Sequence, residues 1–224
     1  MTGWMALVGG GEFTAGCDFD RDLLAAAATD EVVVLATAAA YENPGKVIAR
    51  ATDWFDGLGA RVVAPKLFGR GDASDPDVVE AVRQARFVYL AGGSPMHLRS
   101  VLKDSPVWEA LVAAWRDGAV LAGAGAGGDV LCEHMVDPRG GAYTVGLGLL
   151  ASIAVIPRFD SWSEDKAERT VSLAPPNLSV VGIPERTALL RSPEGAWSSA
   201  GAGGITVFRG GVSVGLDDLP CEAG

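Results

Sequence analysis

The chain has 224 residues, a length suited to one domain, and its 18 Lys and Arg against 28 Asp and Glu leave a net charge of −10. So acidic a chain is a poor partner for nucleic acid or an anionic membrane, both of which select clustered cations. Its 30 glycines and 12 prolines are scattered without a period, which excludes collagen-like or linker-dominated structure.

In chain order, the apolar run at 5–8 predicts a strand ending in Gly9-Gly10-Gly11, and a helix follows over about 18–28 with Asp18 as N-cap. A second strand at 32–36 leads into a loop with Tyr41, Glu42 and Asn43. Pro44 suits the first turn of a helix running to about 58, closed by Gly59. A strand at 61–64 precedes a helix beginning near Asp75-Pro76, and a strand at 87–91 ends in Gly92-Gly93-Ser94-Pro95. Helices are expected over about 96–102 and 107–115, a strand at 119–122, then a glycine-rich turn and a helix over about 128–135.

Apolar strands alternating with helices predict an α/β fold of three layers, a mainly parallel sheet with helices on both faces. Beyond about residue 150 the pattern changes to short β-branched runs at 180–183, 187–190, 195–198, 205–208 and 212–214. Separated by Gly or Pro, they predict an antiparallel C-terminal meander on the sheet edge. With no repeat or linker in view, residues 1–224 are expected to form a single domain. The three cysteines, Cys17, Cys132 and Cys221, have neither a CxxC pair nor zinc-ligand spacing and read as free thiols in a reducing compartment; no metal or cofactor is expected. No basic region followed by an apolar run opens the chain, and no apolar stretch approaches the about 20 residues that span a bilayer. A cytoplasmic protein is expected, with a homodimer as the base-rate oligomer.

In such a sheet a ligand sits beyond the carboxyl ends of the strands, so the loops at 9–12, 37–42, 92–94, 124–128 and 157–160 should build any site. Gly123-x-Gly125-x-x-Gly128 has the spacing of a dinucleotide fingerprint. It lies on the fifth strand rather than the first, however, and Asp129 puts negative charge where a phosphate would approach. A tight strand-to-helix turn that needs small residues explains it as well.

The stretch from Val120 to Gly127, Val-Leu-Ala-Gly-Ala-Gly-Ala-Gly, resembles the nucleophile elbow of the dipeptidase E and cyanophycinase family of serine peptidases. Leu7-Val8-Gly9-Gly10-Gly11-Glu12, Thr37-Ala38-Ala39, Ala91-Gly92-Gly93, Gly146-Leu147-Gly148-Leu149 and Ile156-Pro157-x-Phe159 agree with the same family in the same order. The resemblance implies a fold like that of class I glutamine amidotransferases, with a serine nucleophile, a histidine base and a carboxylate. Gly125 stands at the implied serine position and Arg158 at that of the histidine. A glycine cannot attack a carbonyl, and a permanently charged guanidinium cannot accept a proton. Backbone donors implied for an oxyanion, Gly93 N–H and Ala126 N–H, need no side chain, and Asp137 lies in the region of the implied third carboxylate.

Three functions follow as alternatives. A degenerate member binds a small anionic or peptide-like ligand, or a partner, without serine hydrolysis. A repurposed enzyme uses Asp129 and Arg158, or His134, for cyclisation, elimination or isomerisation. A nucleotide-binding module is the third. Asp129 is expected either to pair with Arg158, which would depress its pKa, or to favour the helix start through the dipole. Arg158 alternatively forks onto a ligand carboxylate or phosphate. Glu133, four residues beyond Asp129, should share its helix face beside His134. Ser94, Tyr41, Glu42, Phe159 and Trp162 are candidate cleft residues, and His97 is read as a capping or packing histidine.

Overall fold

The computed structural model of the chain describes residues 2–137, 139 and 141–221. The expected succession of strands and helices is present as β1 (Met5–Val8), α1 (Phe19–Ala27), β2 (Glu31–Leu35), α2 (Pro44–Gly57), β3 (Arg61–Val63), α3 (Pro76–Gln84) and β4 (Phe87–Leu90). It continues with α4 (Pro95–Leu102), α5 (Pro106–Arg116) and β5 (Val120–Ala124). Four of these helices open with one local device: Asn43, Asp75, Ser94 and Ser105 each accept a backbone N–H with the side chain, and a proline follows each in the first turn. Proline costs nothing there because the first helical N–H groups have no intrahelical partner.

The remaining elements are α6 (Ala126–Asp129), β6 (His134–Val136), β7 (Tyr143–Val145), β8 (Ile153–Pro157), α7 (Glu164–Ser172), β9 (Ser179–Ile183), β10 (Thr187–Arg191), β11 (Trp197–Gly201), β12 (Thr206–Arg209) and β13 (Val212–Val214). The main sheet has the order β11-β10-β1-β5-β4-β2-β3; its five N-terminal strands are parallel, β10 pairs antiparallel with β1, and β11 pairs antiparallel with β10. A second sheet, β13-β12-β9-β8, holds β8 and β9 parallel, and β6 pairs with β7 as a hairpin.

Two expectations are corrected. The helix predicted over 128–135 stops at Asp129, because residues 134–136 leave to pair with Tyr143–Val145. Glu133 is therefore not on a helix face with Asp129. The C-terminal strands form, but not as one edge meander: β10 and β11 extend the main sheet, whereas β9, β12 and β13 build the second sheet on β8.

Residue alternation shows how both faces of the main sheet are covered. Met5, Leu7, Val33 and Leu35 pack with α3, α4 and α5, while Ala6, Val8, Val32 and Val34 pack with α1 and α2. Ile153, Val155, Val181 and Ile183 of the second sheet enter the first of these clusters, so the two sheets share a core. The other face of β8 and β9, with Ala154, Ile156 and Val180, packs on Val171 of α7. Among the described residues no helix is long and apolar enough to cross a membrane.

Candidate active-site cleft

The C-terminal ends of β1, β5 and β4 converge with the end of β8 around a cleft of about 460 Å³. Its wall includes Gly10, Gly11 and Glu12 after β1, Gly92 and Gly93 after β4, Gly125, Ala126 and Asp129 after β5, and Pro157, Arg158, Ser161 and Trp162 after β8. Glu42, Val47 and Arg50 close it from the side of α2.

Gly125 makes the abrupt turn from β5 into α6 with φ 51° and ψ −112°, and its N–H donates to Val8 O at 2.8 Å. That backbone conformation is strained for an L-residue. A Cβ built here would meet only Gly92 Cα, at 3.9 Å, so the position faces open space. The flanking glycines have the opposite character. A Cβ on Gly123 would lie 2.4 Å from Gly127 O, one on Gly127 2.2 Å from Leu90 O, and one on Gly128 2.8 Å from Gly123 O. Close backbone packing of α6 on β4 and β5 thus accounts for the fingerprint spacing without a phosphate. Gly93 N–H has no acceptor among the described residues, and Ala126 N–H, the first of α6, has none within its helix.

Asp129 is buried, and its Oδ1 accepts the Val136 N–H at 3.0 Å. Burial pushes its carboxyl well above the usual range; the Val136 bond opposes this and the charge of Asp137 adds to it. The expected pairing with Arg158 is absent. The Arg158 Nε contacts Glu185 Oε1 at 3.0 Å, so the depressed Asp129 pKa expected from a pair gives way to a raised one. Asp137 stands outside the cleft lining, bonded to the Arg139 guanidinium and N–H, which together lower its pKa.

The other predicted residues divide. Gly93, Ala126, Glu42 and Trp162 line the cleft, and Lys166 Nζ sits 3.6 Å from the Trp162 ring centre. Ser94 turns its Oγ to the His97 N–H as the α4 cap, and Tyr41, 87% exposed, lies edge-on to His97 with ring centres 4.8 Å apart. His97 also contacts Phe68 O at 2.8 Å, in keeping with the packing role. Phe159 packs beneath Gly182 and against Phe208. His134 lies on β6 beside Tyr143, away from the cleft wall.

In the sequence Glu12 ends both the loop at 9–12 and a stretch of the family resemblance, with no role of its own. Its buried carboxylate lines the cleft and accepts the Gly92 N–H through Oε1 at 3.1 Å. The signal available was an acidic residue directly after a glycine turn at a strand end. Ser161 is the one hydroxyl among the described lining residues, which include no His or Cys, and its Oγ donates to Arg158 O at 2.8 Å. Among the described residues no group of three or more His, Cys, Asp or Glu could hold a metal ion.

Residues 5–197 match the family described as peptidase family S51. Cyanophycinases from a Nostoc species and from Trichormus variabilis are each 26% identical over 215 residues, covering 90% of this chain and 72% of theirs. The crystal structure of a peptidase from an acI-B1 Actinobacterium superposes with a TM-score of 0.84 at 28% identity, over 94% of this chain and 92% of that one. A putative peptidase E protein from Listeria monocytogenes shares the fold at 13% identity, with a TM-score of 0.67 over 93% and 99% of the two chains.

Proposed function

Since this chain belongs to peptidase family S51, we propose that it keeps the family's cleft for binding a small anionic or peptide-like ligand and has given up serine hydrolysis. One observation carries the reading: the residue at the strained strand-to-helix turn is Gly125, which offers no nucleophile where the space for one is open. Nucleophile and base act as a unit, and losing either removes several orders of magnitude of rate. Arg158 stands where the family resemblance places the base, and no His or Cys among the described lining residues replaces it. Ser161 already donates its hydroxyl to a carbonyl. Beside the carboxyl groups of Glu12, Glu42 and Asp129, the cleft presents cationic and donor groups: Arg158, Arg50 and the Gly93 N–H, which has no acceptor among the described residues. These recognise a carboxylate or a similar anion without chemistry.

A fluorophosphonate probe, which captures activated serines, is expected to leave the protein unlabelled, checked by intact-mass spectrometry. Stoichiometric labelling would refute the reading. Binding is sought by thermal shift against small carboxylic acids and acidic dipeptides, since any ligand of the native state raises the melting temperature. Arg158→Ala should remove a hit that Lys66→Ala, outside the cleft, leaves intact.

A second reading, acid/base chemistry without hydrolysis, is favoured by the raised pKa of Asp129. Burial favours the protonated form of this carboxyl, the form that can donate a proton, and it lies on the cleft wall. Asp129→Asn separates the two: it preserves ligand binding in either case, and abolishes turnover of a bound ligand only in the second.

A further inference from the structure

We propose that Glu185 is a specificity-determining residue of the cleft, a carboxylate that pairs with the Arg158 guanidinium and weakens its hold on a ligand anion. The inference rests on the anion-binding reading above.

The backbone at both ends of the Arg158–Glu185 pair is fixed. Arg158 N–H donates to Gly9 O at 2.8 Å, and Arg186 N–H donates to the adjacent Gly10 O at 2.7 Å. Glu185 N–H donates to Asp160 Oδ1 at 3.0 Å. The turn between β9 and β10 is thereby tied to the same Gly9-Gly10 strap as the end of β8. The side chains themselves are free to part, being 64% exposed at Arg158 and 39% at Glu185.

Glycine at position 10 makes the contact possible. A Cβ there would lie 3.2 Å from Arg158 Nε and 3.3 Å from its Cγ, and φ is +123°. The Arg158 side chain therefore runs across a strap that carries no side chain of its own. Glu185 is not among the residues lining the cleft, whereas Arg158 is, so the guanidinium is held from outside the space that a ligand enters.

An anionic ligand takes the guanidinium in place of Glu185, or beside it through the terminal N–H groups, and in either case sits in the field of that carboxylate; a neutral ligand does not feel it. Glu185 thus weights the cleft against anions to a degree set by the strength of its pair. Exposed pairs of this kind shift an equilibrium by about one and a half to fivefold. The other lining guanidinium, Arg50, has no ion-pair partner among the described residues and is not subject to this control.

The test uses succinate and its neutral isostere succinamide, titrated calorimetrically at fixed ionic strength against wild type, Glu185→Gln and Arg158→Ala. Glu185→Gln is expected to bind succinate about two- to fivefold more tightly and succinamide unchanged. In ligand-free protein, the Arg158 Nε–H resonance should shift between wild type and Glu185→Gln; an unshifted resonance would mean that the pair is not formed. Loss of succinate binding in Arg158→Ala with no tightening in Glu185→Gln overturns the Glu185 role and leaves the anion-binding reading standing. Unchanged binding in Arg158→Ala, or no succinate binding by either wild type or Glu185→Gln, overturns both. Thermal melts check that each variant is folded, and Glu185→Ala repeats the test if the glutamine variant is not.

Discussion

Asp129 shows how burial outweighs the hydrogen bond a residue makes. Its carboxyl sits out of water, which raises its pKa well above the usual range although a backbone N–H on Oδ1 opposes the rise. Asparagine preserves that acceptor and carries no charge for burial to disfavour. Asp129→Asn is therefore expected to match or exceed wild-type stability at pH 7. Asp129→Ala, which strands the Val136 N–H, should lose about 1–3 kcal/mol in urea unfolding. The aspartate stood out in the sequence because an acidic residue in a glycine turn is conspicuous, but its partner did not. Arg158 had Asp129 as a visible counter-charge, whereas Glu185 lies on a turn between strands of two different sheets. Only the closed fold brings it to the arginine.

The elements were legible where local chemistry alone sets their limits. Pro44 and Asp75-Pro76 mark helix starts, and the apolar runs mark the parallel strands, without reference to anything distant. The failure at α6 has the opposite cause. Residues 130–135 have an apolar spacing compatible with a helix, yet the chain instead pairs His134–Val136 with Tyr143–Val145. Strand pairing is a non-local preference that periodicity does not carry. The same applies to the C-terminal strands, whose existence was readable and whose partners were not. What holds α6 in place is backbone contact: Gly127→Ala drives a methyl onto Leu90 O and is expected to destabilise by about 1–3 kcal/mol or more. Gly125→Ala, facing open space, should instead cost only the strain of its φ, about 1–3 kcal/mol at most. Paired denaturant titrations of the two variants measure the contrast: Gly127→Ala is expected to lose more stability than Gly125→Ala, a side chain being tolerated at the strand-to-helix turn and refused two residues further on.

At the scale of the whole molecule, stability carries a pH signature from the join between α1 and α2. Asp20, fully buried, accepts the Trp54 Nε1–H at 2.9 Å. Burial raises its pKa to about 7, against the Trp54 bond, with the charges of Glu12 and Asp18 adding to the rise. Cys17 and Tyr89, which also feel this carboxylate, have pKa values raised by burial too, to about 11 for Cys17, and so stay neutral here. The native state therefore holds the Asp20 proton more tightly than the unfolded chain, whose value is 3.8. The Asp20 contribution is fully present below about pH 4 and is lost as the pH rises to about 7, a total on the order of 4 kcal/mol. Asp20→Asn should remove this slope, so that its stability relative to wild type rises between pH 4 and pH 7 and is level above. Chemical denaturation across that range checks it; a constant difference would show that Asp20 titrates normally.

The position of β10 beside β1 also orders events in the life of the chain. A growing polypeptide makes β1 before its antiparallel neighbour β10, which follows only after all the parallel strands of the main sheet are complete. Until then β1 keeps an open edge, and the Gly9-Gly10 strap lacks the N–H groups of Arg186 and Thr187's carbonyl that later anchor it. The cleft is thus among the last features to take shape during synthesis, and a chain stopped before residue 185 would have its parallel strands made but no finished mouth.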